Sequence, residues 1–263
     1  MNKSYDVITG ANGFIGSALA EKLIKNNPIL LTTKKNTVRC TEYNMAHGLS
    51  TLNDIKVNVE NVYHLAHDFS NKSINGENIN IKGIKDLIYF CEQKNAKLIY
   101  MSSFMAIPAI DDYGKTKLEC EKLVEAYRKS TIIRPPVVVD HNGGIFTKIN
   151  KIFKYLPFFI LPGHGNYIMY YVNLENLVDF IIKSKDLDIK EIIYCYDKGP
   201  VLFKELLNTR SKLVIKVPIY FLRALLFLAE LIGIRIKSIS NDGLNTLLTM
   251  PRISFKHKNY TEY

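Results

Sequence analysis

Short apolar runs alternate with amphipathic stretches over the first two thirds of the chain. The runs rich in Val, Ile and Leu are typical of buried strands and predict them at residues 6–9, 29–33, 62–65, 97–101, 131–134 and 191–196. The stretches with helical spacing predict helices at residues 14–25, 79–93 and 113–128. Strands that alternate with helices form βαβ units, which place helices on both faces of a parallel sheet. The pattern therefore predicts an α/β fold with a doubly wound parallel sheet.

The pattern of apolar and polar residues changes after Arg134. The segment PPVVVDHNGG is followed by a basic amphipathic stretch, FTKINKIFKYLPFF, and by a loop with two glycines, LPGHGN. We interpret residues 1–140 as one domain and residues 141–263 mainly as a small C-terminal subdomain on the substrate side. Within that second part, about residues 168–200 are expected to return to the core of the first domain.

The most apolar stretch of the chain, residues 217–234, is rich in Leu, Phe and Ile but contains Arg223 and Glu230. A helix that crosses a bilayer needs about 20 predominantly apolar residues, and these two charges interrupt the run. The stretch therefore predicts a helix packed on the protein, with peripheral contact to a membrane as the alternative. No transmembrane segment is expected.

The formal net charge of +10 fits three kinds of partner: nucleic acid, a membrane surface or an anionic small molecule. The lysines are spread along the chain and stand beside acids, as in KTKLECEKLVEAYRK, without a compact basic run interleaved with aromatics. Solvated helix faces account for most of this charge. We therefore expect a small-molecule substrate and no nucleic acid.

Cysteines and histidines do not follow a metal-binding pattern. The cysteines are far apart and lack a C-x-x-C pair, which predicts reduced and mostly buried thiols at Cys40, Cys91, Cys120 and Cys195. His64 and His67 fall at the end of a predicted strand rather than on one helical face, so no metal site is expected. The N-terminus runs into a strand without a long apolar segment, which predicts a cytoplasmic protein.

A glycine-rich turn, TGANGFIG, lies between the first predicted strand and the first predicted helix. Gly10 permits a tight turn, Gly13 lets backbone N–H groups approach a pyrophosphate, and Gly16 lets the helix pack closely on the strand. Asn12, inside the turn, is a further candidate for cofactor binding. The spacing predicts that residues 1–140 form a dinucleotide-binding domain of the Rossmann fold.

The end of the second predicted strand would meet the adenosine ribose, where an acidic residue binds the 2′-hydroxyl of NAD. The sequence there is Thr32, Thr33, Lys34 and Lys35, with two cations and no carboxylate. Cations fit a 2′-phosphate, which favours NADP(H) over NAD(H) as the cofactor. In the alternative interpretation, both lysines lie in a solvent-exposed loop and do not bind the cofactor.

Tyr113 and Lys117 are four residues apart in a helical pattern, so their side chains share one face. An ammonium near a phenol favours the phenolate, so we expect the pKa of Tyr113 to fall from about 10 toward working pH. Such a phenol exchanges a proton with a substrate hydroxyl or carbonyl while hydride moves to or from nicotinamide. Ser103 follows a predicted strand at the carboxyl edge of the sheet, where its hydroxyl would bind the reacting oxygen. Ser102 is the alternative serine, and we expect it to cap backbone instead.

Asn80 begins the helix predicted at residues 79–93. Its amide would hold an ordered water for proton relay and so contact substrate, or it would only pack the helix against the domain. The sequence leaves both interpretations open.

The motifs TGANGFIG, VYHLAH, NINIKGIKDL, YMSS, YGKTK and IIRPPVVV follow one another along the chain. In this order they resemble extended short-chain dehydrogenases/reductases of the NAD-dependent epimerase/dehydratase type, especially enzymes that modify nucleotide sugars. The resemblance spans most of residues 6–139 and assigns Ser103, Tyr113 and Lys117 as the catalytic set. It further implies cofactor contacts from the backbone amides of Phe14 and Ile15 and from Leu65, Ala66, Lys117, Pro136 and Val137.

The resemblance also has departures. Only nine residues separate Ser103 from Tyr113, where extended members carry a longer loop that forms part of the site. Met169 stands where an Arg often binds the diphosphate of the sugar nucleotide, and Asn176 stands where an Asp is usual. Three lysines are candidates to replace the missing diphosphate contact: Lys148, Lys151 and Lys154.

Three functions follow from these residues and from the resemblance. The first is an epimerase or keto-reductase for a nucleotide-activated sugar in the synthesis of a bacterial-type cell-surface polysaccharide, with the two lysines after the second strand favouring reduction. The second is a reductase or dehydrogenase for an apolar or lipid-like carbonyl, favoured by Met169, Phe158, Phe159 and the apolar stretch 217–234. The third is a protein that binds the dinucleotide without turnover. Relatives dimerise through paired helices, which implies a homodimer through residues 79–93 and 113–128.

Overall fold

The computed structural model describes residues 3–33, 40–70, 72–107, 109–140, 143–187, 192–207, 213–231 and 258–263. The chain divides into two compact units. The first comprises Met1–Pro135, Leu174–Cys195 and Phe255–Tyr263, and the second comprises Pro136–Asn173 and Tyr196–Ser254. The segment that returns to the first unit thus begins at Leu174, inside the range expected from the sequence.

Seven strands of the described first unit form one parallel sheet. They are β1 (Ser4–Thr9), β2 (Ile29–Thr32), β3 (Cys40–Glu42), β4 (Asn58–His64), β7 (Lys97–Met101), β8 (Ser130–Arg134) and β12 (Ile192–Tyr194). Their order across the sheet is β12-β8-β7-β4-β1-β2-β3, and every neighbouring pair is parallel. The chain moves from β1 toward one edge and then returns to place β4 on the other side. This order confirms the doubly wound α/β fold.

Helices connect these strands. They are α1 (Phe14–Lys22), α2 (Gly48–Asn53), α3 (Ile79–Lys94), α4 (Asp112–Ala126) and α6 (Leu174–Lys183). A two-stranded hairpin precedes α3 and consists of β5 (Ser73–Ile74) and β6 (Glu77–Asn78). Three single turns of 3₁₀-helix complete the unit at Ile24–Asn26, Phe104–Ala106 and Ser184–Asp186, with a fourth at Tyr260–Glu262.

The core of the first unit forms because strands and helices bury complementary faces. In β7, Leu98, Ile99, Tyr100 and Met101 are all buried, as expected for a central parallel strand that is covered on both sides. Helix α3 buries one stripe of side chains at helical spacing: Ile79, Asn80, Gly83, Ile84, Leu87, Phe90 and Cys91. The side chains of Cys91, Cys120 and Cys195 are buried, as predicted.

The second unit contains shorter strands and three helices. Its described elements are β9 (Val137–Val139), α5 (Gly144–Phe153), β10 (Phe158–Pro162), β11 (Ile168–Asn173), β13 (Lys198–Leu202), α7 (Phe203–Leu206), β14 (Leu213–Val217) and α8 (Ile219–Leu231). Strand β11 lies between β9 and β13, and β10 pairs in parallel with β14. Phe146, Phe153, Phe159, Leu161 and Met169 belong to the apolar cluster of this unit.

Several sequence-based boundaries were wrong by a few residues. The first helix, expected over 14–25, ends at Lys22 and continues as a 3₁₀ turn, with Asn27 in the left-handed region at φ 50°. Strand β4 begins at Asn58, because its outer half alternates polar and apolar residues and lacks a continuous apolar run. The stretch expected as a helix over 217–234 is helical at Ile219–Leu231. Within the described ranges, no helix is long and apolar enough to cross a membrane.

Candidate active site

The glycine-rich turn joins β1 to α1 at the centre of the sheet. Gly10 has φ +69°, and a Cβ atom added to it would lie 2.8 Å from the backbone nitrogen of Ala66. A Cβ on Gly16 would lie 2.1 Å from the carbonyl oxygen of Gly10. Both positions therefore require glycine, because one has a left-handed backbone and both approach other backbone closely. This is the packing that a phosphate-binding strand-turn-helix needs.

The N-terminus of α1 begins directly at this turn. Gly13 is the N-cap residue, and its own N–H donates to the carbonyl oxygen of Gly10 over 2.9 Å. The first N–H groups of a helix have no acceptor inside the helix, so they and the helix dipole favour an anion at this point. Phe14 and Ile15 are the first two residues of α1, where their amides would serve a pyrophosphate as the sequence predicted.

The end of β4 lies against the turn. The N–H of Leu65 donates to the carbonyl oxygen of Thr9 over 3.3 Å, which extends the pairing of β4 with β1 by one residue. The Thr9 hydroxyl contacts Nδ1 of buried His64 at 2.7 Å and accepts a hydrogen bond from the N–H of Ala66 at 3.4 Å. Leu65 and Ala66 are thus fixed beside Gly10, where the sequence placed a wall of the cofactor site.

Helix α4 positions the proposed acid and its lysine. Asp111 caps the helix by accepting a hydrogen bond from the N–H of Gly114 over 2.7 Å. Tyr113 lies in the first turn, close enough to Ser103 for that side chain to affect the pKa of the phenol; Ser103 follows β7 at the carboxyl edge of the sheet. Lys117 lies one turn further along, buried, with its ammonium donating to the carbonyl oxygen of Met101 over 2.7 Å. The structure therefore brings the three predicted catalytic residues together.

Comparison with known proteins agrees with this geometry. The model of the NAD dependent epimerase/dehydratase family matches residues 7–140, which is half of the chain. The chain belongs to this family. It is therefore an enzyme of the NAD(P)-dependent short-chain dehydrogenase/reductase type, and the resemblance drawn from its motifs is confirmed. A search of curated proteins finds no match.

Solved structures share the fold of this epimerase/dehydratase-family enzyme. Pal from Bacillus thuringiensis is 17% identical, with a TM-score of 0.66 over 96% of this chain and 95% of that chain. A UDP-glucose 4-epimerase from Thermotoga maritima, solved with UDP-glucose, is 20% identical, with a TM-score of 0.67 over 81% and 85%. A dTDP-glucose 4,6-dehydratase from Bacillus anthracis, solved with NAD, is 13% identical, with a TM-score of 0.66 over 82% and 84%. At these identities the likeness establishes the fold.

The electrostatics of the enzyme differ from the sequence-based expectation. Burial raises the pKa of Tyr113 above its usual value, although the Ser103 side chain acts in the opposite direction. Burial also lowers the pKa of Lys117 to about 8. The expected depression of the Tyr113 pKa was therefore wrong. The physical reason is that desolvation outweighs attraction, since the Lys117 ammonium donates to a carbonyl and lies 5.9 Å from the centre of the Tyr113 ring.

The two neighbouring serines have different partners. Ser103 accepts a hydrogen bond from the N–H of Met105 over 3.2 Å and so caps the 3₁₀ turn that follows. Ser102 is buried and donates to the carboxylate of Glu121. The expectation that Ser102 caps backbone was wrong. Ser102 donates to Glu121 instead, and Ser103 is the serine that caps backbone.

A buried ion pair lies next to Ser102, because Glu121, which accepts the hydrogen bond from Ser102, is paired with Arg134. Arg134 contacts both carboxylate oxygens of Glu121, with Nε 2.8 Å from Oε1 and one terminal nitrogen 2.5 Å from Oε2. Its other terminal nitrogen donates to the hydroxyl of Tyr194 over 2.7 Å. Glu121 lies one turn after Lys117 on α4, so the pair ties that helix to the end of β8. Sequence reasoning missed this pair, although a helical Glu and a strand-end Arg were visible.

Asn80 lies near this site but is engaged with backbone. Its Oδ1 accepts from the N–H of Asp68 at 2.8 Å, and its Nδ2 donates to the carbonyl oxygen of the same residue at 2.9 Å. The side chain of Asn78 also accepts from both nitrogens of Asn80. The amide thus holds the loop after β4. A contact of Asn80 with substrate stays a prediction.

Two residues of that loop contact Tyr113 and were not predicted. The ring of His67 meets the Tyr113 ring edge-on at 4.8 Å between centroids, and the ring of Phe69 stacks on it at 5.5 Å and 16°. Burial is the main cause that lowers the pKa of His67 to about 3, with the nearby Lys117 charge acting in the same direction. His67 is therefore neutral in the working range. Both residues follow a strand at the same sheet edge as Ser103, and this position was the signal that could have identified them.

The remaining predicted residues are placed as follows. Lys34 and Lys35 lie outside the described residues, so the structure does not describe the predicted 2′-phosphate contact. Pro136 and Val137 begin the second unit, and their contact with the carboxamide stays a prediction. Asn12 is exposed in the glycine-rich turn. In the part of the chain that the structure describes, no group of three or more His, Cys, Asp or Glu residues could hold a metal ion.

The residues of the first unit fit a nicotinamide dinucleotide. The backbone at Gly10 and Gly16 packs too closely for any Cβ atom, which gives the tight turn that a pyrophosphate-binding helix N-terminus needs, and no side chain caps α1 at this point. Tyr113, Lys117 and Ser103 lie at the same carboxyl edge of the sheet as this turn. The site thus places proton-transfer groups on the side of the sheet where the fold binds dinucleotides.

Proposed function

We propose that this enzyme is an epimerase or keto-reductase for a nucleotide-activated sugar and that it uses NADP(H). The observation that carries the proposal is that α4 places Tyr113 and the buried Lys117 one helical turn apart, with Lys117 bound to the end of the strand that Ser103 follows. These groups suit proton transfer at a carbon that exchanges hydride. The structural neighbours include enzymes for UDP-glucose and for UDP-N-acetylglucosamine, which supports a sugar nucleotide as substrate.

Each side chain has a defined part in this chemistry. A bound nicotinamide supplies or accepts the hydride. Tyr113 gives a proton to the substrate oxygen or takes one from it, and the hydroxyl of Ser103 donates a hydrogen bond to the same oxygen. Lys117 places a positive charge beside the phenol and stabilises the phenolate that forms when Tyr113 has given up its proton.

A protonated Tyr113 can supply the proton that reduction of a carbonyl requires. A phenol whose pKa lies above its usual value is protonated at neutral pH and therefore starts as an acid. A carbonyl that receives hydride needs a proton on its oxygen, which this phenol supplies. The two lysines after the second strand support NADPH as the reductant, since cations there fit a 2′-phosphate.

The proposal also covers the compartment in which the enzyme acts, the process that it serves and its oligomeric state. No disulfide joins the buried residues Cys91, Cys120 and Cys195, which supports a reducing compartment such as the cytoplasm. We assign the enzyme to the synthesis of a cell-surface polysaccharide, because that is where nucleotide-activated sugars are consumed. A homodimer through α3 and α4 is part of the proposal.

Met169 no longer supports the alternative function, in which the substrate is an apolar carbonyl compound. Met169 is only 4% exposed and belongs to the apolar cluster of the second unit, so its presence does not indicate an apolar wall of a substrate pocket. The exposed lysines Lys151 and Lys154 remain candidates for binding the diphosphate.

The test is a turnover assay with purified protein. UDP- and dTDP-linked sugars and their 4-keto derivatives would be incubated with NADPH or NADH, with cofactor absorbance and product formation followed together. We expect turnover by the wild type and its loss in Tyr113→Phe, with the Kd for NADPH unchanged within about twofold. Stoichiometric loss of NADPH identifies a reductase, and product formation without it identifies an epimerase. Full activity of Tyr113→Phe, or tighter binding of NADH than NADPH, would contradict the corresponding part of the proposal.

A further inference from the structure

The loop after β4 places an exposed aromatic ring against the catalytic phenol. Phe69 stacks on Tyr113 at 5.5 Å with an angle of 16° between the rings, yet 76% of Phe69 is exposed to solvent. His67 meets both rings edge-on, at 4.7 Å from Phe69 and 4.8 Å from Tyr113. One face of the Phe69 ring is thus occupied by the site, and most of the side chain is open.

This arrangement is held by specific hydrogen bonds. Asn80 binds both the N–H and the carbonyl oxygen of Asp68, the residue between His67 and Phe69. The carboxylate of Asp68 accepts from the N–H of Ser70 over 2.6 Å, which closes the turn immediately after Phe69. The loop is therefore fixed on both sides of Asp68, and the position of Phe69 is determined by the fold rather than by its own packing.

Single exposed apolar side chains are ordinary on protein surfaces, so exposure alone does not mark a site. Phe69 differs because its ring stacks on Tyr113, which places it next to any substrate that reaches the phenol. Such a substrate must reach a ring that stacks directly on the proton-transfer residue. A sugar ring carries C–H groups on one face and hydroxyls at its edge, so it can pack on an aromatic face while an edge oxygen meets the phenol.

We propose that Phe69 contacts the substrate and determines its specificity by packing against the C–H face of the sugar ring that reacts at Tyr113. The inference rests on the proposed function and adds to it the class of group that the site accepts, a ring with an apolar face. Substrates whose ring carries a charged substituent on that face are disfavoured, because the aromatic surface offers it no partner. The neutral ring of His67 adds no charge to this wall.

The first test compares three variants at position 69. Phe69→Ala should lower kcat/KM for the nucleotide sugar by about tenfold, mainly through KM, because the ring contact is made in both the ground state and the transition state. Phe69→Tyr keeps the ring and should stay within about twofold of the wild type, while Phe69→Leu should fall between them. The matched control is Ile24→Ala, which removes an apolar side chain that is 49% exposed after α1 and outside the site. All variants should keep the Kd for NADPH.

The second test does not depend on turnover. Site-specific incorporation of 4-fluorophenylalanine at position 69 gives one fluorine NMR signal, which should shift when UDP-glucose binds and stay in place with UDP alone. An unchanged signal at saturating UDP-glucose, or a Phe69→Ala variant within twofold of the wild type while Tyr113→Phe is inactive, overturns the inference and leaves the proposed function intact. Failure of the wild type to bind or convert any nucleotide sugar rejects the proposed function and the inference with it.

Discussion

Lys117 offers a quantitative test of the site, because its ammonium is buried where charge is costly. The side chain is 3% exposed, donates to the carbonyl oxygen of Met101 and lies 4.9 Å from the centre of the Tyr100 ring. Burial lowers its pKa from 10.5 to about 8. Replacement by Met keeps the length and removes the charge, so Lys117→Met isolates the free energy that burial of the ammonium costs.

The magnitude follows from proton linkage. Each unit of pKa difference between the folded and unfolded states corresponds to about 1.4 kcal/mol, so the drop to about 8 costs roughly 3 kcal/mol below pH 8. The unfolded chain binds more protons than the folded one between the two pKa values, so the free energy of unfolding of the wild type rises with pH in that window. Between about pH 7 and about pH 9.5, the wild type should gain about 2 kcal/mol relative to Lys117→Met.

The assay is urea denaturation of the protein without cofactor, with circular dichroism as the readout, at several pH values between these limits. The difference in the free energy of unfolding between wild type and variant cancels the titration of other groups. Lys115→Met is the control, because it removes an exposed ammonium from the same helix. A flat or falling difference for Lys117→Met would refute the buried ammonium.

Two further predictions concern the supports of the site. Arg134→Met leaves the carboxylate of Glu121 buried without its partner, so urea denaturation should show a loss of about 3–5 kcal/mol, and the double variant Arg134→Met with Glu121→Leu should recover much of it; an equal loss in both would contradict the pair. Gly16→Ala places a methyl group 2.1 Å from the carbonyl oxygen of Gly10 and should weaken NADPH binding at least tenfold in a fluorescence titration. Gly76→Ala is its control for a strained glycine away from the site: φ there is +81°, but among the described atoms nothing lies within 4 Å of the added Cβ, so stability should fall while NADPH binding should not change.

The sequence predicted best where local pattern and tertiary position agree. Strand β7 was predicted with its observed limits, Lys97–Met101, because an apolar run before a polar pair is typical of a central parallel strand. The edge strand Cys40–Glu42 was missed, since three mostly polar residues carry no apolar period. Most strands of the second unit were missed for another reason. Strand β10, at Phe158–Pro162, pairs with Leu213–Val217, and such a distant partner is not visible locally.

The same difference between local pattern and tertiary position applies to the catalytic residues. The structure places Tyr113 and Lys117 one turn apart on one helix and Ser103 directly after a strand, as their spacing predicted, while the binding of the reacting oxygen by Ser103 stays a prediction. The direction of the Tyr113 pKa shift could not be predicted, because it depends on burial and on where the ammonium points. The contact of Phe69 with Tyr113 joins a loop and a helix that only the fold brings together.

The position of the site between nonadjacent segments has a consequence for how the protein folds. Thr9 meets His64 and Gly10 approaches Ala66 only after strands far apart in sequence have paired in parallel. Such long-range pairing is slow, because the entropy of closing large loops is lost before the contacts form. Cofactor affinity should therefore emerge late during refolding, together with native packing. Saturation with dinucleotide should then raise the free energy of unfolding, because the ligand binds only the conformation in which all these segments are in contact.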